Sequence, residues 1–199
     1  MMKNTLAYIF LFLSLVSCRE KETGNRYSVV PLPQNIQMTS GRGFTLNQHT
    51  VILYPKDDLS LKRNAEFLVE YLSEPMDGTL DISGYAGEEL KPNNSIVLQI
   101  DPSIENDEGY RIHVSEQGVT IQGKTPNGIF YGIQTLRKSI LPGTGESSPS
   151  LAAAQIDDAP RFPYRGMHLD VSRHFFGVEF IKRYIDLLAL HNMNVFHWH

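Results

Sequence analysis

The segment "HLDVSRHFF", His168–Phe176, sets Arg173 and His174 just past a strand-like run that begins at Tyr164. In parallel α/β architectures the carboxyl ends of the strands carry the chemistry, because the loops there converge on one face. A planar guanidinium at such a place can present paired donors to neighbouring sugar hydroxyls or to a carboxylate. A local salt bridge to Asp170 accounts for the same arginine equally well. Arg165, near the start of the strand, falls on the end associated with stability.

His197 and His199, in the closing run "NVFHWH", are two residues apart and would share one face of a strand. Both imidazoles could then reach one metal ion. Such a site needs three or four ligands, and His168, His174 and His191 form no clear ligand cluster with them. Packed histidines of a barrel strand are therefore expected, with no metal and no cofactor. Trp198 could stack on a sugar, but its mid-strand place predicts core. The adjacent carboxylates Asp57-Asp58, Glu88-Glu89 and Asp157-Asp158 stand in polar, loop-like surroundings and are expected to be solvated surface.

The elements that must position these groups fall into two units. Short strand-like runs occur at Val51–Tyr54, Ser95–Ile100 and Tyr110–Val114, and the last pairs with Val119–Gln122 across a glycine-containing turn. Alternation in "YRIHV" and "VTIQ" predicts a sheet with one wet face. Leu61, Ala65, Leu68 and Leu72 make the stripe of an amphipathic helix. Thr125 as N-cap and Pro126 at the first helical position open a second helix, which buries Ile129, Ile133, Leu136 and Ile140 and ends at Pro142-Gly143. The pattern predicts an α+β amino-terminal domain over residues 27–158, with helices on one face of a largely antiparallel sheet.

Beyond the loop "PGTGESSPS" the pattern changes. "YRGMHLDV" reads as a strand and "VEFIKRYIDLLALH" as a helix, with Ile181, Tyr184, Ile185 and Leu188 at helical spacing and Asn192 at its exit. "NVFHWH" reads as a second strand. This is a βαβ unit with parallel strands, over residues 159–199. It cannot stand alone, since its sheet needs further strands and covering helices.

The first residues read as an export signal. Lys3 is followed by the apolar run "LAYIFLFLSLV", shorter than the ~20 residues a membrane-spanning helix needs. Leu15-Val16-Ser17-Cys18 resembles the lipobox of bacterial lipoproteins, which implies a signal peptide over 1–17, cleavage before Cys18 and lipid on its sulfur. Residues 18–26 would be a polar tether. The chain would be exported and held at a membrane through Cys18, as a periplasmic or an outer-membrane, cell-surface lipoprotein. Cys18 is the single cysteine, so no intrachain disulfide exists. Of 18 basic residues Lys3 leaves with the signal, so 17 remain against 22 acidic ones, a net charge of −5. The basic residues are scattered, which excludes a nucleic-acid footprint.

On these letters a family resemblance is specific. "RFPYRG", "LDVSRHF" and "NVFHWH" resemble the start of the catalytic (β/α)8 TIM barrel of family 20 glycoside hydrolases, the β-N-acetylhexosaminidases. "VVPLPQNIQM" and "EGYRIHVSEQGVTIQGKTPNGIFYGIQTL" resemble the small α+β domain that precedes that barrel. The resemblance implies hydrolysis of terminal β-linked N-acetylglucosamine or N-acetylgalactosamine from glycans. The mechanism would be retaining and substrate-assisted, the sugar's own acetamido oxygen attacking the anomeric carbon. It implies that Arg173 holds hydroxyls of the terminal sugar.

The family's catalytic Asp-Glu pair belongs to a later strand and has no counterpart here, so no catalytic residue is assigned to this chain. A barrel needs about 250 residues, whereas only its first βαβ is present, a truncated barrel. The chain by itself is expected to be inactive. The competing expectations are a noncatalytic, lipid-anchored glycan-binding domain or a gene remnant, and a metal-dependent barrel hydrolase.

Overall fold

The periodic segments reappear as elements in the computed structural model, which describes residues 27–87, 93–140 and 148–199. The signal, Cys18, the tether, Glu88-Glu89 and the Pro142-Gly143 stop lie outside the described residues. The amino-terminal domain contains β1 (Asn35–Met38), β2 (Phe44–Thr45), β3 (Val51–Pro55), α1 (Leu59–Met76), β4 (Asp81–Tyr85) and β5 (Ser95–Ile100). It continues through β6 (Tyr110–Ser115), β7 (Gly118–Gly123), α2 (Pro126–Ser139), β8 (Ser150–Leu151) and β9 (Ala154–Asp158).

Seven strands form one sheet in the order β1-β9-β6-β7-β5-β3-β4, and β2 pairs separately with β8. The sheet is mixed, not largely antiparallel. β1, β9, β6 and β7 pair antiparallel, while β7, β5, β3 and β4 pair parallel. Two connections cause this. Helix α1 carries the chain from β3 across to β4, and such a crossover returns the strand parallel. The β6–β7 hairpin sets β7 beside β5 in the same direction. Strand β4 was not foreseen, because its five residues "DISGY" are mostly exposed at the sheet edge and carry little apolar alternation.

One face of the sheet is covered, as the alternation required. Tyr110, Ile112 and Val114 of β6 and Val119 and Ile121 of β7 are buried beneath the helices. Helix α1 buries Leu61, Ala65, Leu68 and Leu72, and α2 buries Ile129, Ile133 and Leu136. The helices meet where Phe67 lies edge-on to Phe130 at 5.8 Å and Asn64 Nδ2 donates to the Pro126 carbonyl. Thr125 holds the N-cap position in extended backbone, but its hydroxyl donates to the Asp107 carbonyl and caps nothing. An added Cβ on Gly128 would collide with the Gly109 carbonyl, so this glycine lets α2 settle against the loop before β6.

Two carboxylate pairs are more than solvated surface. Asp58 is the N-cap of α1, accepting from Ser60 N and Leu61 N at 2.9 Å each. Asp157 and Asp158 end β9 and are not in a loop. Asp157 pairs with Arg111 at 2.9 Å, and Asp158 accepts from the Tyr110 hydroxyl at 2.8 Å.

The second unit is β10 (Gly166–Leu169), α3 (Val178–Leu190) and β11 (Val195–Trp198), with β10 and β11 parallel. Asn192 leaves α3 in the left-handed region, φ 58°. Of the apolar stripe on α3, Ile181 and Leu188 are buried, whereas Ile185 is 46% exposed. Trp198 is 58% exposed, against the expectation of core, and stacks on Phe196 at 5.6 Å. A sheet of two strands is too narrow to cover this stripe and these rings.

The two units are joined on a second face of α2. Tyr131 lies under the Arg165 guanidinium at 5.2 Å, and Lys138 Nζ donates to the Val30 and Leu190 carbonyls. Arg165 also pairs with Glu108 and donates to the Asn192 carbonyl at 2.7 Å. Among the described residues no helix is long and apolar enough to cross a membrane.

Candidate functional site

The carboxyl ends of β10 and β11 carry Asp170, Ser172, Arg173 and His199. The parallel ladder sets Leu169 opposite Trp198 and runs one step further, with His199 N donating to the Leu169 carbonyl and Val171 N to the His199 carbonyl. Past this point the chain turns toward α3, and Asp170 makes the turn. Its Oδ1 accepts from Ser172 N at 3.0 Å, Arg173 N at 3.1 Å and Ser172 Oγ at 3.0 Å. Its Oδ2 lies 3.2 Å from Arg173 Nε. The hydrogen bond from Arg173 N, then those from Ser172 Oγ, His199 and Ser172 N, hold the Asp170 carboxyl below the usual range, partly opposed by desolvation.

Arg173 is 87% exposed at the side chain, beyond the first strand of the βαβ unit. The local salt bridge to Asp170 is formed. Asp170 takes Nε, and no other described contact engages Nη1 or Nη2. The free edge of the fork can reach a pair of hydroxyls or a carboxylate.

The histidines lie on the face of the two strands away from α3. His168 and His197 meet edge to face at 4.7 Å, and His168 lies 6.0 Å from His199. Among the described residues no group of three or more His, Cys, Asp or Glu is arranged to hold a metal ion. Phe196 and Trp198 project to the opposite face, where Phe196 meets Tyr184 of α3 at 5.4 Å. That removes Trp198 from the face shared by the histidines. His174 packs against Phe176 at 5.1 Å.

The partners of His199 are a serine and an aspartate of the facing loop. Its Nδ1 lies 2.9 Å from Ser172 Oγ and 3.4 Å from Asp170 Oδ1. Asp-x-Ser-Arg signals an aspartate-made turn, but no local signal ties it to a residue 27 positions away.

Hollows lie apart from this loop. An open groove of about 960 Å³, lined by Arg42, Phe44, Asn47, Asn94 and Glu116 among others, includes no residue of the βαβ unit. A cavity of about 310 Å³ sits at the junction, lined in part by Leu32, Glu108, Tyr110, Tyr131, Arg165 and Asn192.

Comparison with known proteins is consistent along the chain. Residues 26–159 match the family model described as glycosyl hydrolase family 20, domain 2, and residues 162–199 match the catalytic domain of that family. A β-hexosaminidase of Porphyromonas gingivalis is 36% identical over 97% of this chain, which spans 26% of that protein. The family 20 β-N-acetylhexosaminidase of Streptomyces coelicolor superposes with a TM-score of 0.75 at 31% identity, over 86% of this chain and 34% of that one. The Vibrio harveyi exo-β-N-acetylglucosaminidase, solved with N-acetylglucosamine, gives 0.72 at 29% identity, over 86% and 25%. The chain thus spans about a quarter to a third of the length of these three relatives.

Proposed function

The chain belongs to glycosyl hydrolase family 20, and from that premise we propose that it supplies the amino-terminal domain and the opening βαβ of a β-N-acetylhexosaminidase. The substrate would be a glycan ending in β-linked N-acetylglucosamine or N-acetylgalactosamine. The reaction would retain the anomeric configuration, with the acetamido oxygen as internal nucleophile, and would use no metal.

The observation that carries this reading is the place of Arg173. It stands past the carboxyl end of the first barrel strand, where the loops of this architecture gather the chemistry. With Asp170 on Nε, its two terminal nitrogens suit adjacent ring hydroxyls of the terminal sugar. The Asp-Glu pair that would orient the acetamido group and protonate the leaving oxygen belongs to a later strand. These 199 residues alone are therefore expected to bind the sugar weakly and to cleave nothing.

The same reading includes export and a lipid on Cys18, supported by the lipobox-like Leu15-Val16-Ser17-Cys18 and by the absence of any other cysteine. The test has two arms. The purified chain is assayed on an aryl N-acetyl-β-glucosaminide, where measurable release overturns the expected inactivity. Expression with labelled palmitate should label the wild type and not Cys18→Ser, and equal labelling of both removes the anchor.

A further inference from the structure

His199, Ser172, Asp170 and Arg173 form one chain of contacts across the β10/β11 pair. We infer that Asp170, Ser172 and His199 are positioning residues that aim the Arg173 guanidinium, a role that rests on Arg173 being a sugar ligand. A long side chain on an exposed loop otherwise keeps its rotamer freedom, which sugar binding would have to remove. The Asp170 carboxylate withdraws part of that freedom beforehand, because it takes both the main-chain N–H and the Nε of Arg173. What remains outward is the Nη1/Nη2 edge.

Asp170 is itself held from the neighbouring strand. With the proton on Nδ1, His199 donates to Ser172 Oγ, and the serine hydroxyl donates onward to Asp170 Oδ1. The backbone of His199 brackets the same loop through Leu169 and Val171. Without the ring, the serine hydroxyl is free to turn to water and the carboxylate to rotate about its own bond. A nucleophilic triad is a different arrangement, because there serine and carboxylate occupy opposite ring nitrogens. Here both crowd Nδ1, and with the proton on that nitrogen the Ser172 hydroxyl serves geometry.

The experiment uses the full chain labelled with ¹⁵N and follows the Arg173 Nε–Hε signal, with amide signals of the amino-terminal sheet reporting the fold. His199→Ala and Ser172→Ala should speed exchange of that proton and move its shift, and Asp170→Asn should do so most. His199→Asn, whose amide nitrogen can take the place of Nδ1, should restore much of the wild-type signal. An unchanged Arg173 signal in His199→Ala, with the sheet intact, overturns the inference.

A second arm adds N-acetylglucosamine. Wild type should respond at Arg173, and His199→Ala should bind about fivefold to tenfold more weakly, the size of one ordinary net hydrogen bond. Equal affinities in both proteins also overturn the positioning role. If no sugar moves the signal while the first arm succeeds, Arg173 is not a sugar ligand, and the role falls with that reading although the network stands.

Discussion

Arg165 and Glu108, 57 positions apart, close a two-point ion pair across the junction of the two units, with Nη1–Oε2 at 2.9 Å and Nη2–Oε1 at 3.1 Å. Glu108 also accepts from the Tyr131 hydroxyl at 3.0 Å, and Arg165 donates to the Asn192 and Phe162 carbonyls. Helix α2, the loop before β6 and the amino ends of both strands of the βαβ unit thereby share one knot of charge. Both side chains are mostly buried, so the pair escapes much of the screening that weakens surface ion pairs.

Glu108→Gln is expected to loosen the βαβ unit and leave the amino-terminal domain folded. The change leaves a mostly buried guanidinium without its countercharge, at a cost of about 3 kcal/mol, the low end for a buried pair. Hydrogen-exchange mass spectrometry reads the result. Protection should fall over β10 and β11 and persist over β5, β6 and β7, whereas a uniform loss would assign the pair to the whole chain.

The pH dependence of the junction has two windows. Hydrogen bonds from Arg165 hold the Glu108 carboxyl below its ordinary value, so its contribution is complete above ~4.3 and is lost as pH falls through the lowered value. Burial pushes the Lys138 amine from 10.5 down to about 8. Between those values the unfolded chain binds more protons than the folded one, so stability should rise with pH across that window. Denaturant midpoints at pH 7.5, 8.25 and 9, below the range where the buried tyrosines begin to titrate in the unfolded chain, should climb in wild type and flatten in Lys138→Gln.

Gly128→Ala is expected to cost about 1–3 kcal/mol, the range of an overpacked site, since the new methyl meets the Gly109 carbonyl. The shift of α2 should carry Tyr131 with it. Loss of the Arg165 contact would appear as raised exchange at β10, and a neutral thermal midpoint would show that the helix has room to give.

Asp58→Ala should lower stability by ~1 kcal/mol, the usual loss when an N-cap carboxylate is removed. Asp58→Asn keeps an acceptor for Ser60 N and Leu61 N and should recover most of it. Thermal midpoints of the two variants decide, and equal losses would point to charge in place of the cap.

The elements were legible wherever one period dominated. The stripe Leu61, Ala65, Leu68, Leu72 and the alternation of Tyr110, Ile112 and Val114 lie buried as their spacing required. Parallel pairing of β3, β5 and β7 was hidden, because period alone carries no strand direction. Asp157 and Asp158 looked like a loop because two adjacent charges mask the end of β9, and their partners Arg111 and Tyr110 lie 46 and 48 positions away. In the candidate site, Arg173 and its bond to Asp170 could be read locally. The His199 contact could not, since it depends on the register of β10 against β11.

Strand β1 pairs with β9, Asn35 opposite Asp157 and Met38 opposite Ala154. Whenever the chain emerges amino end first, this edge therefore has no partner until more than a hundred further residues have followed. The Tyr27 hydroxyl waits likewise for the Ala152 carbonyl, and the Gln34 amide for Asp158. Exposed Asn35 and Gln37 suit a strand that must stay solvated while its complement is still being made.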